Sequence, residues 1–303
     1  MKSNIFCPVC GSPSTHSLGK FHSRDYQKSE SFEYHKCSVC NLIFLYPLPT
    51  EDVINRFYEY KFAEGNYRDY ERFNESKQRS FDTIITREII PNIDRKGHIL
   101  EFGCGEGFFL ERLFHFGFEN IWGVDVSQVA ISRAQQKLPN RYKERLFCHN
   151  EDTLSHQFES QSMDCVVGLD VLEHLRSPLS FLNEAFNILS PDGLLILTTP
   201  RLNSFASKVL KLRWHYFIPL EHIHLFSSNS IKMALVRVGF QKIIVLKEKR
   251  YFSIGYSVSS LEAIYRFRGK VWRSVKVLLK GLEKLIPGVN LDVGLMTVLA
   301  KKG

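Results

Sequence analysis

His98-Ile99-Leu100-Glu101-Phe102-Gly103-Cys104-Gly105-Glu106-Gly107 is the stretch that decides the fold. An apolar run of strand character ends in glycines at alternate positions, and helical spacing begins at Phe108 and lasts to Phe116. Glycines are needed in such a turn because a side chain would block close approach of a ligand to the main chain. A dinucleotide fingerprint would place its third glycine at 108, where this chain has Phe, so that reading fails. Asp125 ends the next apolar run, 20 residues after Gly105, where a carboxylate can accept bonds from both ribose hydroxyls of a nucleoside.

Outward from this turn, short apolar runs alternate with amphipathic segments. The strand-like runs are His98–Phe102, Asn120–Asp125, Arg145–His149, Asp164–Leu169 and Leu194–Thr198; helical patterns fill Ser127–Lys137 and Leu179–Leu189. That alternation predicts a parallel sheet covered by helices on both faces, an α/β fold. A helix over Ser228–Val238, a strand over Gln241–Glu248 and a last strand near Leu291–Lys301 follow. Before the core, Phe81, Ile84, Ile85 and Ile89 repeat at helical spacing, and Pro91 and Gly97 close that stretch.

The chain has 303 residues, 44% hydrophobic and 24% charged, which excludes disordered, collagen-like and disulfide-stapled classes. No apolar run approaches the ~18 residues of a membrane span, and no apolar stretch follows Lys2, so the expected compartment is the cytoplasm. The net charge of +8 is uneven: residues 201–303 hold 19 Lys and Arg against 5 Asp and Glu, so any anionic partner is sought there. Within 258–286, apolar positions gather on one helical face and Arg266, Lys270, Arg273, Lys276, Lys280 and Lys284 on the other. Such a segment suits three roles: a solvated helix pair, a surface lying on an anionic membrane at its inner face, or a phosphate-attracting patch.

The glycine turn with its flanking acids resembles the class I S-adenosylmethionine (SAM) methyltransferases over roughly residues 98–201. Supporting blocks fall in order: Asn150-Glu151-Asp152 after the third strand, Met163 to Leu175 containing Asp170-Val171-Leu172-Glu173-His174, and Leu189-Ser190-Pro191-Asp192-Gly193 before the fifth strand. The resemblance implies a Rossmann-like, seven-stranded core that binds SAM through Glu101, Gly103, Cys104, Gly105, Gly107, Asp125, Val126, Asn150, Glu151, Leu169 and His174. The family usually has Asp where this chain has Asn150.

Cys7-Pro8-Val9-Cys10 and Cys37-Ser38-Val39-Cys40 are paired knuckles separated by 26 residues. Two such pairs can complete a sulfur tetrahedron around one structural zinc, leaving no open position. The reading is therefore a zinc ribbon over 1–45, a helical cap over 46–96 and a methyltransferase domain over 97–303. The zinc ribbon ahead of this core is similar to bacterial sugar C- and O-methyltransferases of surface-glycan pathways. That resemblance implies methyl transfer to a sugar, a nucleotide-sugar or a lipid-linked glycan precursor. Methylation of rRNA or tRNA, and a non-catalytic protein that senses SAM, are the alternatives.

Methyl transfer to a hydroxyl or carbon requires a group that takes a proton. The candidate is Leu220-Glu221-His222-Ile223-His224-Leu225-Phe226-Ser227, after the fifth strand, at the ligand-binding end of the sheet. His222 or His224 is read as the base, helped by Glu221. In the sugar C-methyltransferases a tyrosine stands two positions before the Glu; here that position is Pro219. Tyr67 and Tyr70 are further candidates to close over the cofactor.

Overall fold

A computed structural model describes residues 5–22, 31–54, 56–57, 74–148, 154–253, 274 and 288–303. Asn150, Glu151, Tyr67, Tyr70 and almost all of 258–286 lie outside the described residues.

Eleven strands are described: β1 (Thr15–His22), β2 (Ser31–Cys37), β3 (Ile43–Leu45), β4 (Ile99–Phe102), β5 (Ile121–Asp125), β6 (Leu146–Cys148), β7 (Met163–Leu169), β8 (Leu189–Pro200), β9 (His224–Leu225), β10 (Phe240–Ser253) and β11 (Gly288–Lys302). The main helices are α1 (Asn74–Ile84), α2 (Phe108–His115), α3 (Gln128–Lys137), α4 (Pro178–Ile188), α5 (Phe205–Leu210) and α6 (Ser228–Val238). Seven strands form one sheet in the order β10-β11-β8-β7-β4-β5-β6. Its β8-to-β6 part is parallel, and β11 joins β8 antiparallel.

The period-two pattern of the strands explains the layers. Leu100, Phe102, Val166, Leu195 and Leu197 face one core, packed with Phe181, Leu182, Ile231 and Leu235 of α4 and α6. Their alternates Ile99, Cys165, Val167, Leu194 and Ile196 face the other, with Phe109, Leu113, Ile131 and Ala134 of α2 and α3 and the isoleucines at 84, 85 and 89. Each fully buried Leu or Ile contributes about 1.5–3 kcal/mol relative to exposure. Helix starts follow the sequence: Ser127 accepts from the Ala130 N–H, and Ser227 with Ser230 forms a reciprocal capping box.

The alternating segments read as strands all lie in this sheet, with ends that differ by a few residues. The last two strands are longer than their apolar cores suggested, because β10 and β11 pair along a ladder from Phe240–Lys302 to Ser253–Gly288.

The cysteine-rich front is more sheet than loop. β1, β2 and β3 form an antiparallel sheet whose fourth strand, β9, comes from the far end of the chain. Phe44 pairs with His224 and Ile43 with Leu225, so β1, β2 and β3 share a sheet with the segment read as catalytic. Tyr34, Ile43, Leu45, Trp214, Phe217, Ile223 and Leu225 fill the core between them.

Candidate active site

The glycine turn makes a cradle. Gly103, Gly105 and Gly107 all have positive φ, at 73°, 51° and 75°. A Cβ on Gly103 would strike Val171, and one on Gly107 would sit 3.0 Å from the Ala134 Cβ, while one on Gly105 would meet nothing within 4 Å. Gly103 and Gly107 are thus fixed by packing, and Gly105 faces the open space a ligand needs.

Asp125, at the end of β5, clamps this turn. Its Oδ2 accepts the Gly105 N–H at 2.8 Å and its Oδ1 the Ser127 N–H at 2.9 Å, and each oxygen keeps a lone pair for a further donor. Glu101 is only 4% exposed, and its Oε2 has no hydrogen-bond partner among the described residues. Burial pushes the Glu101 carboxyl well above its ordinary range and Asp125 adds to this, with Lys77 opposing. Burial also raises Asp125, against the N–H groups of Ser127, Gly105 and Val126. Two desolvated carboxyls beside bare main chain call for a ligand that brings hydroxyl donors and positive charge. A ribose and the cationic end of SAM supply both, so the residues present fit that cofactor. Val126 is about half exposed at the rim of this turn. Cys104 contributes main chain only; its side chain is buried, with its sulfur toward Gly123.

A second cluster stands where β7 and β8 end. Asp170, in a left-handed conformation after Leu169, accepts from the Thr198 hydroxyl at 2.8 Å. Glu173 is buried, and its Oε2 accepts from the Thr199 hydroxyl at 2.9 Å. His174 Nδ1 bonds the Glu221 carbonyl, and His222 Nδ1 bonds the Tyr216 carbonyl at 2.8 Å. A carbonyl only accepts, so the His222 ring carries its proton on Nδ1 and its lone pair on Nε2, whereas the His174 ring meets a second carbonyl, that of Asp170. The two imidazoles lie 5.0 Å apart between centroids. Burial lowers His174, and burial together with His174 holds His222 down to about 4, so both are neutral near pH 7.

The structure separates the two histidines of the 220–227 segment. His222 meets His174, whereas His224 lies on β9, buried, with Nδ1 on the Leu175 carbonyl at 3.0 Å. The N–H groups of Ile223 and His224 both reach the Glu173 carbonyl, at 2.8 and 3.0 Å. His224 therefore fixes the 173–175 turn, and His174, read as a cofactor contact, stands at the centre of this cluster. Glu173 and Thr199 are not among the site residues read from the sequence: Glu173 carries no signal beyond its place in the 163–175 block, and only the fold brings Thr199 to it.

The four cysteines converge. Cys7 Sγ lies 3.5 Å from Cys40 Sγ, Cys10 Sγ 3.5 Å from Cys37 Sγ, and all four within 4.8 Å of one another. One tetrahedral ion with Zn–S bonds of about 2.3 Å requires sulfurs about 3.8 Å apart, so the donor set fits zinc. The Cys40 thiol beside it holds Cys7 down to about 5. This cluster is tied to both ends of α6: the Cys40 carbonyl accepts from Ser227 Oγ at 3.1 Å, and Arg237 donates to the Val9 carbonyl at 2.8 Å.

A family model described as a methyltransferase domain matches residues 70–245. The tRNA U34 carboxymethyltransferase of Idiomarina loihiensis is 27% identical over 172 residues, covering 53% of this chain and 51% of that protein. The mitochondrial ubiquinone biosynthesis O-methyltransferase of Dictyostelium discoideum is 28% identical over 111 residues, 34% of this chain and 35% of its own. The chain spans about half the length, or less, of these curated relatives. Among solved structures, a SAM-dependent methyltransferase from Archaeoglobus fulgidus superposes with a TM-score of 0.52 at 18% identity, covering 78% of this chain and 99% of that one. That likeness concerns the fold. Among the described residues, no helix is long and apolar enough to cross a membrane.

Proposed function

The chain belongs to the methyltransferase-domain family, and we propose that it is a SAM-dependent enzyme that methylates an oxygen or carbon of a sugar, nucleotide-sugar or lipid-linked glycan precursor. The observation that carries this reading is the enclosed cluster of Glu173, His174 and His222 at the ends of β7 and β8. Buried groups of this kind suit a small acceptor that enters a cleft. A folded RNA is met mainly on an open basic surface.

When bound, SAM supplies an electrophilic methyl group on a sulfonium. The chain's own residues do the rest. Glu101, Asp125 and the main chain at Gly105 hold the donor, and Asn150 and Glu151 are proposed to meet its base. His222, with Glu221 next to it, takes the acceptor proton. His174 orients the segment through the Glu221 carbonyl. Most of the catalysis is then positioning, since in-line displacement needs the nucleophile held close to the methyl carbon.

The cysteine module is proposed to hold one structural zinc and to wall the acceptor side. Its hydrogen bonds to Ser227 and its sheet with β9 support that role over a free RNA-docking module. Segment 258–286 is proposed to rest on an anionic membrane surface when the precursor is lipid-linked. A second reading, methylation of tRNA, draws on the similarity to a tRNA U34 carboxymethyltransferase.

The test is incubation of the full chain with SAM and, separately, nucleotide-sugars, lipid-linked glycan precursors and bulk tRNA. S-adenosylhomocysteine formation and the mass gain of a methyl group are then followed by mass spectrometry. Methylation of a sugar substrate is expected; turnover on tRNA alone would replace this reading with the second. Tight SAM binding without turnover on any of them would leave a SAM sensor.

A further inference from the structure

We propose that the segment from Phe205 to Arg213 is a membrane-docking face that rests on an anionic phospholipid surface. It consists of α5 and the single 3₁₀ turn after it, Lys211–Arg213, and follows β8 closely. The inner side of the segment is accounted for. Ala206 and Leu210 pack against the core of Tyr34, Trp214 and Phe217, and the Ser207 hydroxyl donates to the Leu202 carbonyl. The outer side is apolar as well. Phe205 and Val209, one helical turn apart, are 79% and 61% exposed, and Leu212 is 47% exposed. A helix apolar on both sides belongs between two apolar phases, and the fold fills only one of them.

The charge around these side chains says which phase covers them. Lys208, Lys211 and Arg213 stand exposed among them, and none has an ion-pair partner among the described residues. No Asp or Glu occurs between 193 and 220. Apolar side chains interleaved with unpaired cations suit the boundary of an anionic bilayer. There the apolar groups enter the acyl region while the ammonium and guanidinium groups reach lipid phosphates. A second copy of the chain is a poorer match, because it would set the same cations against one another. Even at about 250 Å² each, three apolar side chains also fall short of the ~800 Å² per partner that a stable dimer buries.

The face adjoins the candidate active site. Tyr216, three residues beyond Arg213, accepts from His222 Nδ1 through its carbonyl, and Leu202, three residues before Phe205, donates its N–H to the Phe226 carbonyl. Docking there brings the loop that carries His222 to the bilayer. This deepens the proposed reading in which the acceptor is lipid-linked, and rests on it for what the membrane presents. The binding itself does not depend on that reading. It is also separable from segment 258–286, which substitutions at 205 and 209 leave unchanged.

The test is co-sedimentation of the full chain with sucrose-loaded vesicles, either of phosphatidylcholine alone or of phosphatidylcholine and phosphatidylglycerol in equal parts. Binding to the mixed vesicles is expected, weakening as salt is raised, with little binding to phosphatidylcholine alone. Phe205→Asp combined with Val209→Asp should lower the partition coefficient at least about 10-fold, and Lys208→Gln, Lys211→Gln and Arg213→Gln together about 10- to 100-fold. An unchanged thermal unfolding midpoint shows that each variant folds; should the double variant unfold, the triple variant decides. Absence of binding by the unsubstituted chain, equal binding to both vesicles, or binding that survives in both variants overturns the proposal. Self-association in sedimentation velocity that disappears with Phe205→Asp would assign the face to a second copy and also overturn it. Vesicle binding without methyl transfer to a lipid-linked acceptor leaves this inference standing and removes that acceptor. Transfer to a soluble nucleotide-sugar without vesicle binding does the reverse.

Discussion

The Tyr34 hydroxyl donates a 2.7 Å hydrogen bond to the main-chain carbonyl of His222, 188 residues further along the chain. Tyr34 is wholly buried in the cysteine module, between Phe21 and Phe217, so the module reaches directly into the loop that carries the cluster.

Tyr34→Phe leaves a buried carbonyl without its donor. The expected loss is about 1–3 kcal/mol in urea unfolding. SAM affinity should not change, because Glu101, Gly105 and Asp125 lie on other elements. Acceptor turnover should fall, and a parallel fall in SAM affinity would argue that Tyr34 supports the whole fold.

Removal of the zinc proposed for the four cysteines, by chelator or by Cys40→Ser, should act on the segment around Ser227 first. The Cys40 carbonyl holds Ser227 Oγ, and β3 pairs with β9. Amide hydrogen exchange is expected to rise across 34–45 and 223–230 while 99–125 stays protected. Uniform loss of protection would show that the module stabilises the entire chain.

Asp125→Ala should weaken SAM binding by about 1.5–3 kcal/mol, roughly 10- to 150-fold, because it removes a charged acceptor and releases the Gly105 N–H. Asp125→Asn keeps one acceptor oxygen and should lose less. Isothermal titration with SAM checks the order.

Glu101 links SAM binding to pH. Its carboxyl lies well above the ordinary range through burial, so the ligand-free chain gains stability from the neutral form at low pH and loses it as pH rises through the raised value. A cationic ligand favours the ionised form. The thermal shift produced by SAM should therefore grow with pH above the ordinary carboxylate range, and binding there should release protons. Calorimetry in two buffers of different ionisation heat measures that release, and Glu101→Gln should reduce it, the remainder coming from Asp125.

Gly103→Ala meets two obstacles, a φ of 73° and the side chain of Val171. A cost of about 1–3 kcal/mol in chemical denaturation is expected. Adding Val171→Ala should relieve the clash and leave the backbone strain, so recovery should be partial.

The alternation of apolar runs and amphipathic segments around the 98–107 turn determined the α/β class, the glycine cradle and the acid at 125. These are local properties: strand periodicity, the demand of a tight turn for glycine, and an acid at a strand end are all written within a few residues. The two Cys-x-x-Cys pairs were legible for the same reason, each being a knuckle in itself. What only the tertiary structure decided is which of two nearby histidines meets His174, that Thr199 buttresses Glu173, and that Tyr34 holds the His222 carbonyl. Those pairings cross between strand ends and from one sheet to another. Their geometry is set when β9 joins β3 and the buried cores close, and a linear spacing carries no trace of it.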